Sequence, residues 1–184
     1  SDPYNGTRTD MISYRFSCGD KIDNNRDRTD GRGVFSVVQG SKIAHITDGT
    51  SNTIAFSEHL TGDYGLGTNS APRTGYGMVM GVNVRATPAP CLTQVSNGMY
   101  TNVANSKSRM GRIWHDGQTE IVGFTTIIAP NGPSCGEGTD GNADAQHAII
   151  SPSRAHTGGV NAAMCDGSVR FVSDSIDTGA LQTV

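Results

Sequence analysis

Short apolar runs separated by polar, glycine-rich stretches recur along the chain, a pattern typical of short strands joined by loops. In residues 53–60 apolar and polar residues alternate, which places Ile54 and Phe56 on one face of an extended segment. Other runs are rich in β-branched and aromatic residues. Strands are therefore predicted over residues 34–38, 53–60, 76–84, 113–114 and 119–128, the last two flanking a turn at residues 116–117.

Helical signals are few. Ser41 is a predicted N-cap for one or two helical turns that end at Gly49. The Thr-Pro-Ala-Pro stretch at residues 87–90 is predicted to interrupt any regular element, so that no helix runs through it. Polar and glycine-rich stretches predict loops over residues 23–31, 61–69 and 130–144.

The C-terminal stretch 160–172 predicts a β-hairpin. Asp166 and Gly167 supply the two positive-φ residues of a tight two-residue turn, which places Cys165 opposite Ser168. The same register pairs Ala162 with Phe171 on an apolar face. Phe171 is therefore predicted to be buried in the core.

The hairpin register also determines where His156 is expected. Extending the pairing carries His156 to the end of the hairpin opposite the turn, near Asp174 or Asp177. His156 and Asp166 are then separated by the length of a strand, on the order of 25 Å. A structural contact between His156 and a carboxylate is expected, in place of a catalytic pair with Asp166.

Length and composition favour one loop-rich domain over residues 1–184. Hydrophobic residues make up 35% and charged residues 17% of the chain, and its 24 glycines favour many tight turns. We predict an α+β fold with a mainly antiparallel sheet, short helices and long glycine-rich loops. The net charge of −3 provides no basic field for a phosphate backbone, so nucleic acid is not an expected partner.

The cysteines predict disulfides in preference to a zinc site. The four cysteines lack the Cys-x-x-Cys spacing of zinc ribbons and fingers, and two disulfides with three connectivities are open to them. Cys91 and Cys135 each lie in a proline-bearing loop that can adapt to bridge geometry. We predict this pair as the disulfide.

Two motifs match enzyme patterns by letters only. Ser134 is the central residue of a Gly-x-Ser-x-Gly match, but prolines break the segment before it and no helix is predicted after it, so an ordinary loop is the favoured interpretation. Residues 136–141 match the dinucleotide fingerprint, yet Glu137 and Asp140 would repel phosphates and no βαβ unit surrounds them. A hydrolase built on Ser134 is therefore the last-ranked hypothesis.

Metal chemistry has one candidate in the sequence. Asp140, Asn142 and Asp144 have the alternate spacing that opens a calcium loop, but the glycine and glutamate expected later in such a loop are missing. A solvated polar loop is favoured, and calcium is kept as the alternative. The five histidines form no helical metalloprotease pair, and no other cofactor is expected.

Three segments carry a family resemblance. His156 is followed after nine residues by Asp166-Gly167, and residues 46–54 with Glu58 form an internal motif that includes Asp48, Gly49 and Asn52. With residues 129–135, these segments resemble, in order, the planctomycete-type family called domain of unknown function 1559. The signature residues His156, Asp166, Gly167, Asp48, Gly49, Asn52 and Glu58 are expected to serve structure.

The resemblance implies a protein similar to type IV pilins and type II secretion pseudopilins, with a prepilin-type segment and a long apolar helix at the N-terminus. This sequence departs from that pattern by lacking the helix, and the expected reason is that it was trimmed. The resemblance implies a non-enzymatic structural protein that is secreted or exposed at the cell surface. Its expected partners are itself or other pilin-like subunits, and membrane contact is expected only through the missing helix.

A second functional class stays open alongside the structural one. A secreted ligand- or glycan-binding module would use aromatic side chains as stacking surfaces. The candidates are Tyr64, Tyr76, Tyr100 and Trp114. Because only 6% of the residues are aromatic, separate core roles are the favoured interpretation for these four.

Overall fold

The predicted α+β class is confirmed by the computed structural model, which describes residues 11–27, 29–36, 40–62, 73–111, 114–138 and 144–178. In chain order its strands are β1 (Tyr14–Ser17), β2 (Ile54–Glu58), β3 (Met78–Met80), β4 (Val95–Ser96), β5 (Met99–Tyr100), β6 (Ser106–Lys107), β7 (Gly123–Phe124), β8 (Cys135–Gly136), β9 (Ala148–Ile149), β10 (Gly159–Met164) and β11 (Val169–Ser173). Short helices α1 (Ala89–Leu92) and α2 (Thr119–Val122) and 3-10 turns at Ile43–His45 and Val103–Asn105 complete the described elements. Within these ranges no helix has the length and apolar character needed to cross a membrane.

The strands form two larger sheets and a small hairpin. The five-stranded sheet has the order β11-β10-β2-β1-β7, and the four-stranded sheet has the order β6-β3-β8-β9. Pairing is antiparallel except between β1 and β7 and between β3 and β8. β4 and β5 pair with each other as the hairpin. The mainly antiparallel character matches the prediction.

The core lies between the two sheets and behind the smaller one. Phe124 of β7 packs in one cluster with Met78 and Met80 of β3, which joins the sheets. Val79, on the opposite side of β3, packs in a second cluster with Ile149 of β9. The strands of the four-stranded sheet are therefore buried on both faces.

A disulfide joins Cys91 in α1 to Cys135 in β8. The Cα atoms are 5.7 Å apart, within the usual range for a disulfide, and both residues are fully buried. The predicted pair is confirmed. Cys18 and Cys165 are free thiols.

The strand predicted over residues 119–128 is correct only for residues 123–124. Thr119–Val122 forms the helical turn α2, held by the N–H groups of Ile121 and Val122, both of which donate to Gln118 O, and the strand is confined to Gly123–Phe124. All four residues of the turn are buried, so tertiary contacts outweigh the strand preference of the β-branched side chains. A Cβ at Gly123 would lie 2.7 Å from Cys18 Sγ, so glycine is required where the turn meets the sheet.

The two other helix predictions also need correction. Ser41 caps no helix; the turn there is the 3-10 segment Ile43–His45, preceded by Lys42 without a side-chain cap. The proline stretch does not exclude helix, because α1 begins directly after Pro88 and carries Pro90 in its first turn. Proline is tolerated there since a first-turn N–H has no partner within the helix.

Two predicted segments agree only in part with the structure. The strand over residues 34–38 reduces to a single bridge between Phe35 and Gly40, and residues 37–39 lie outside the described ranges. The long loop over residues 130–144 contains β8 at its centre, which pairs with β3 and β9. The strands predicted at residues 53–60 and 76–84 are present in shorter form, as β2 and as the three residues of β3.

The C-terminal hairpin forms, but its register differs by one residue from the prediction. Asn161, not Ala162, lies opposite Phe171. Gly167 has the expected positive φ of 85°, whereas Asp166 does not, and Met164 N–H donates to Ser168 O across a three-residue turn. A type I turn followed by a left-handed glycine adds one residue to the loop, and a one-residue slip moves every side chain to the other face.

We expect Gly167→Val to destabilise the protein by about 1–3 kcal/mol, through backbone strain alone. No atom lies within 4 Å of a Cβ added at Gly167, so no steric clash contributes. Gly167→Asn should cost clearly less, because asparagine visits the left-handed region. Gly117→Val is the matched control, at an equally open glycine without positive φ, and should change stability by no more than about 0.5 kcal/mol. Equal losses for both valine variants in urea unfolding would contradict this account.

Phe171 is 56% exposed, so the prediction that it is buried is wrong. Phe171→Ala is expected to cost less than about 1 kcal/mol, because no core cavity is opened. Phe124→Ala, which removes a fully buried ring, should cost about 3–5 kcal/mol in the same unfolding assay. Comparable losses for the two variants would show that the one-residue shift of the hairpin is incorrect.

Candidate functional site

The signature residues gather at two places along β10. At the turn end, the N–H of Cys165 donates to Thr53 O at 2.9 Å and that of Asp166 to Thr50 O at 3.2 Å. The internal motif is itself held by Asn52 Nδ2, which donates to Asp48 O, while Gly49 adopts a φ of 86°. The internal motif therefore holds the hairpin turn through two backbone hydrogen bonds.

At the other end of β10 lies a second group, the Glu58 cluster, formed by Glu58, Arg154, His156 and Asn161. Glu58 Oε2 accepts from Asn161 N–H at 2.8 Å, and Oε1 accepts from Asn161 Nδ2 at 3.2 Å and from Arg154 Nη1. His156 Nε2 lies 3.9 Å from Glu58 Oε2, and its ring stacks on Phe171 at a centroid distance of 6.3 Å.

His156 and Asp166 thus occupy opposite ends of β10, as expected for a structural role. The carboxylate beside His156 is that of Glu58, a residue from the other signature motif, and not the predicted Asp174 or Asp177. Sequence spacing within the hairpin could not reveal this partner, because β2 enters the sheet from a distant part of the chain.

The electrostatics of Glu58 reflect these contacts. Burial alone would raise the pKa of its carboxyl, but hydrogen bonds from Arg154 and Asn161, with the positive charge of Arg154, lower the pKa below its ordinary value of 4.5. The folded state therefore favours the ionised form. Stability from this group is present above the ordinary value and is lost as pH falls through the lower folded value.

Glu58→Gln should consequently destabilise the protein most near neutral pH. We expect the difference in unfolding free energy between the wild type and Glu58→Gln to shrink as pH falls from about 7 to about 3. In an Arg154→Met background the same substitution should show a weaker pH dependence, because the main cationic partner is gone. A difference that grows on acidification in urea unfolding would refute the ionised pairing.

A serine–histidine contact lies next to this cluster, in a cleft of about 320 Å³ that is also lined by Glu58 and Arg154. Ser153 Oγ is 3.2 Å from His59 Nδ1, yet the hydroxyl donates to Gly75 O and accepts from Leu60 N–H. Burial and the nearby charge of Arg15 hold the pKa of His59 well below its ordinary value. The Ser153 hydroxyl therefore joins the chain segments at Leu60 and Gly75.

Arg15 adds an unusual buried charge to the same region. Its side chain is fully buried, and Nη2 donates to Leu60 O at 3.3 Å. Burial lowers the pKa of this guanidinium to about 9. The sequence marks neither Arg15 nor His59, since Arg15 lies in a polar stretch and His59 in an ordinary alternating segment.

Ser134 is fully buried, in agreement with the loop interpretation of its motif. Its N–H donates to the Tyr100 hydroxyl at 2.9 Å, and its Oγ accepts from Ser151 N–H at 3.0 Å. Tyr100 is correspondingly buried, and its hydroxyl donates to Gly77 O at 2.8 Å. Tyr100 therefore cannot serve as the stacking surface that was proposed for it.

The other three aromatic residues predicted as stacking surfaces differ in how far the structure exposes or describes them. Tyr76 is half-buried and lies under the Arg73 guanidinium at 5.7 Å. Trp114 is 60% exposed and lines a pocket of about 300 Å³. Tyr64 lies outside the described residues.

A buried ion cluster was missed entirely by sequence analysis. Glu120 of α2 lies 3.2 Å from Lys107 Nζ and 3.1 Å from Arg109 Nη2, and it accepts from Ala145 N–H at 3.1 Å. Burial lowers the pKa of Lys107, and Glu120 counteracts this effect. No local pattern marks these residues, because their partners come from separate loops.

Of the three calcium candidates, Asp144 belongs to this ion cluster. Asp144 pairs with Arg109 and with Arg26, whose Nη2 is 3.6 Å from Asp144 Oδ2. Asp140 and Asn142 lie outside the described residues, so the predicted polar loop and its calcium alternative are not tested. Among the described residues no group of three or more His, Cys, Asp or Glu side chains is arranged to hold a metal ion.

The geometry defines a β-rich α+β domain with a buried disulfide, in which the signature residues hold one hairpin in the sheet. A family model described as "Protein of unknown function (DUF1559)" matches residues 1–179. The chain belongs to this family, and the resemblance is confirmed at that level. Searches of curated proteins and of solved structures found no match.

Proposed function

We propose that this chain is a non-enzymatic, pilin-like structural subunit that works outside the cytoplasm and assembles with itself or with other pilin-like subunits. The supporting observation is a short run of exposed apolar side chains on β11, an edge strand of the five-stranded sheet, called the outer strip. The outer strip consists of Val169 and Phe171, which are 67% and 56% exposed and share a face of the edge strand β11 by strand register. Exposed apolar patches on a sheet face mark surfaces that partners cover.

The disulfide supports the proposed compartment. Cys91 and Cys135 are fully buried and bonded, and disulfides persist mainly where the surroundings are oxidising. This pattern is typical of periplasmic, secreted and surface proteins.

The use of the serine hydroxyls supports a structural role. Ser134 and Ser153 are both buried, and their hydroxyls bond to backbone groups of neighbouring segments. In both, the group that a hydrolase would present to substrate is committed to holding the fold.

The decisive experiment uses the full-length gene. Expressed with a prepilin peptidase, the protein should be cleaved at an N-terminal prepilin segment that precedes an apolar helix, and this helix would provide the membrane anchor before assembly. A mature protein that carries no such processing would refute the pilin-like part of the proposal.

The outer strip can be tested in the same cells. Phe171→Ser should reduce cross-linked multimers while leaving thermal unfolding of the purified domain nearly unchanged. Ile43→Ser is the matched control, because Ile43 is also exposed but lies in the 3-10 turn outside the strip. Unchanged multimers in Phe171→Ser, or an equal loss in Ile43→Ser, would remove the strip as the assembly surface.

A further inference from the structure

The Trp114 pocket is a partly open cavity of about 300 Å³ at the β1–β7 side of the five-stranded sheet. Phe16 and Phe35 form one wall, with ring centroids 5.1 Å apart, and Trp114 stands at the rim against His115. This volume is at the lower end of ligand sites, which span roughly 300–1,000 Å³. The pocket therefore suits a single ring better than an extended chain.

Among the polar side chains that line the pocket, Asn25 and Thr119 bond to backbone groups, whereas Lys21 carries the charge. Lys21 Nζ lies 3.5 Å from Asp30 Oδ2, and both side chains reach solvent. Such an exposed ion pair contributes little to stability, so the Lys21 ammonium can donate to a further acceptor at small cost. An ammonium brings three donors and a carboxylate brings acceptors, a combination that matches adjacent hydroxyl groups.

The charges of Lys21 and Asp30 determine which class of small ligand suits the pocket. A carboxylate ligand at Lys21 would approach the negative charge of Asp30, and a wholly apolar ligand would take water from the ammonium without replacing its hydrogen bonds. A neutral ring with hydroxyls on its edge and C–H groups on its face satisfies the ion pair and the indole together.

We infer that this pocket binds a single neutral pyranose ring, stacked on Trp114 and hydrogen-bonded to Lys21 beside Asp30. This binding site goes beyond the proposed structural function, and it does not depend on assembly through the outer strip. The ring belongs to a glycan end or to a simple glycoside, since one unit fills the cavity.

The chain provides its own reporter, because Trp114 is its sole tryptophan. The whole domain is titrated with the methyl glycosides of glucose, galactose, mannose and N-acetylglucosamine, and with benzoate as the charged aromatic alternative. At least one glycoside should shift the tryptophan emission with a dissociation constant on the order of 1 mM or below. No response to any glycoside, or tighter binding of benzoate, would overturn the inference.

Variants then locate the binding by calorimetry, which does not require the tryptophan. Trp114→Ala should weaken the active glycoside about tenfold, the factor expected from losing about 1.4 kcal/mol of stacking. Phe171→Ala removes a similarly exposed aromatic ring outside the pocket and should leave the affinity unchanged. Equal affinities for Trp114→Ala and Phe171→Ala would place binding elsewhere and refute the site.

The free cysteines provide a second readout in the wild-type protein. Cys18 lines the pocket, and Cys165 lies in the hairpin turn. The active glycoside should slow alkylation of Cys18 by N-ethylmaleimide and leave that of Cys165 unchanged. Equal effects on both thiols, or none on Cys18, would contradict binding in this pocket.

Discussion

Replacing Glu120 with alanine is expected to destabilise the folded protein by about 3–5 kcal/mol. Glu120 is the shared anion of the buried ion cluster, with Lys107 Nζ at 3.2 Å and Arg109 Nη2 at 3.1 Å. Without Glu120 the ammonium of Lys107 stays fully buried and loses this ion pair. Leaving a buried charge uncompensated is among the costliest effects of a single substitution.

The stability lost in Glu120→Ala should come from keeping the Lys107 charge buried without Glu120, and not from the missing attraction between the two charges. A double variant, Glu120→Leu with Lys107→Met, replaces both charges with apolar side chains of similar size and should be more stable than Glu120→Ala. Arg109 keeps a partner in that double variant, because it also pairs with Asp144. Urea unfolding at neutral pH measures the unfolding free energies of the wild type, Glu120→Ala and the double variant.

A surface pair is the matched control. Arg85 Nε lies 2.7 Å from Asp23 Oδ1, but both side chains are exposed. Arg85→Gln should therefore cost less than about 1 kcal/mol. If Glu120→Ala costs no more than Arg85→Gln, the ion cluster is not buried as described.

The hairpin shows how far a local pattern can specify structure. The sequence of residues 160–172 predicted the two strands, the turn position and the positive φ of Gly167, all of which depend on neighbouring residues. It did not predict the register, because two-residue and three-residue turns both accept a glycine and differ by one residue in pairing. That single residue decides that Phe171 faces solvent.

The Glu58 cluster likewise shows that a local sequence pattern does not predict contacts between distant parts of the chain. The resemblance selected Glu58 and His156, but only the pairing of β2 with β10 brings them within 3.9 Å of each other. The helical turn at Thr119–Val122 was missed for a related reason. Its β-branched residues favour strand locally, while the ion pairs of Glu120 form only after distant loops meet.

The second large effect is expected at the disulfide. Removing it with Cys91→Ala and Cys135→Ala together should destabilise the protein by about 2–4 kcal/mol. The two cysteines are 44 residues apart, and in the chain-entropy account closing a loop of that length in the unfolded state contributes about 4 kcal/mol. The bond also fastens α1 to β8, which lies between β3 and β9 in the four-stranded sheet.

Reduction of the wild-type protein distinguishes the stability contributed by the disulfide bond from that contributed by the two cysteine side chains. Because both sulfurs are fully buried, wild-type protein should be reduced in denaturant and refolded with reductant present before its unfolding midpoint is measured. That midpoint should fall towards the value of the double variant, whose own midpoint should be insensitive to reductant. The variant with Cys18→Ala and Cys165→Ala, which removes only the free thiols, should respond to reductant as the wild type does. Four titratable thiols in protein isolated from an oxidising compartment would show that the bond does not form, and the proposed location outside the cytoplasm would then lose its main support.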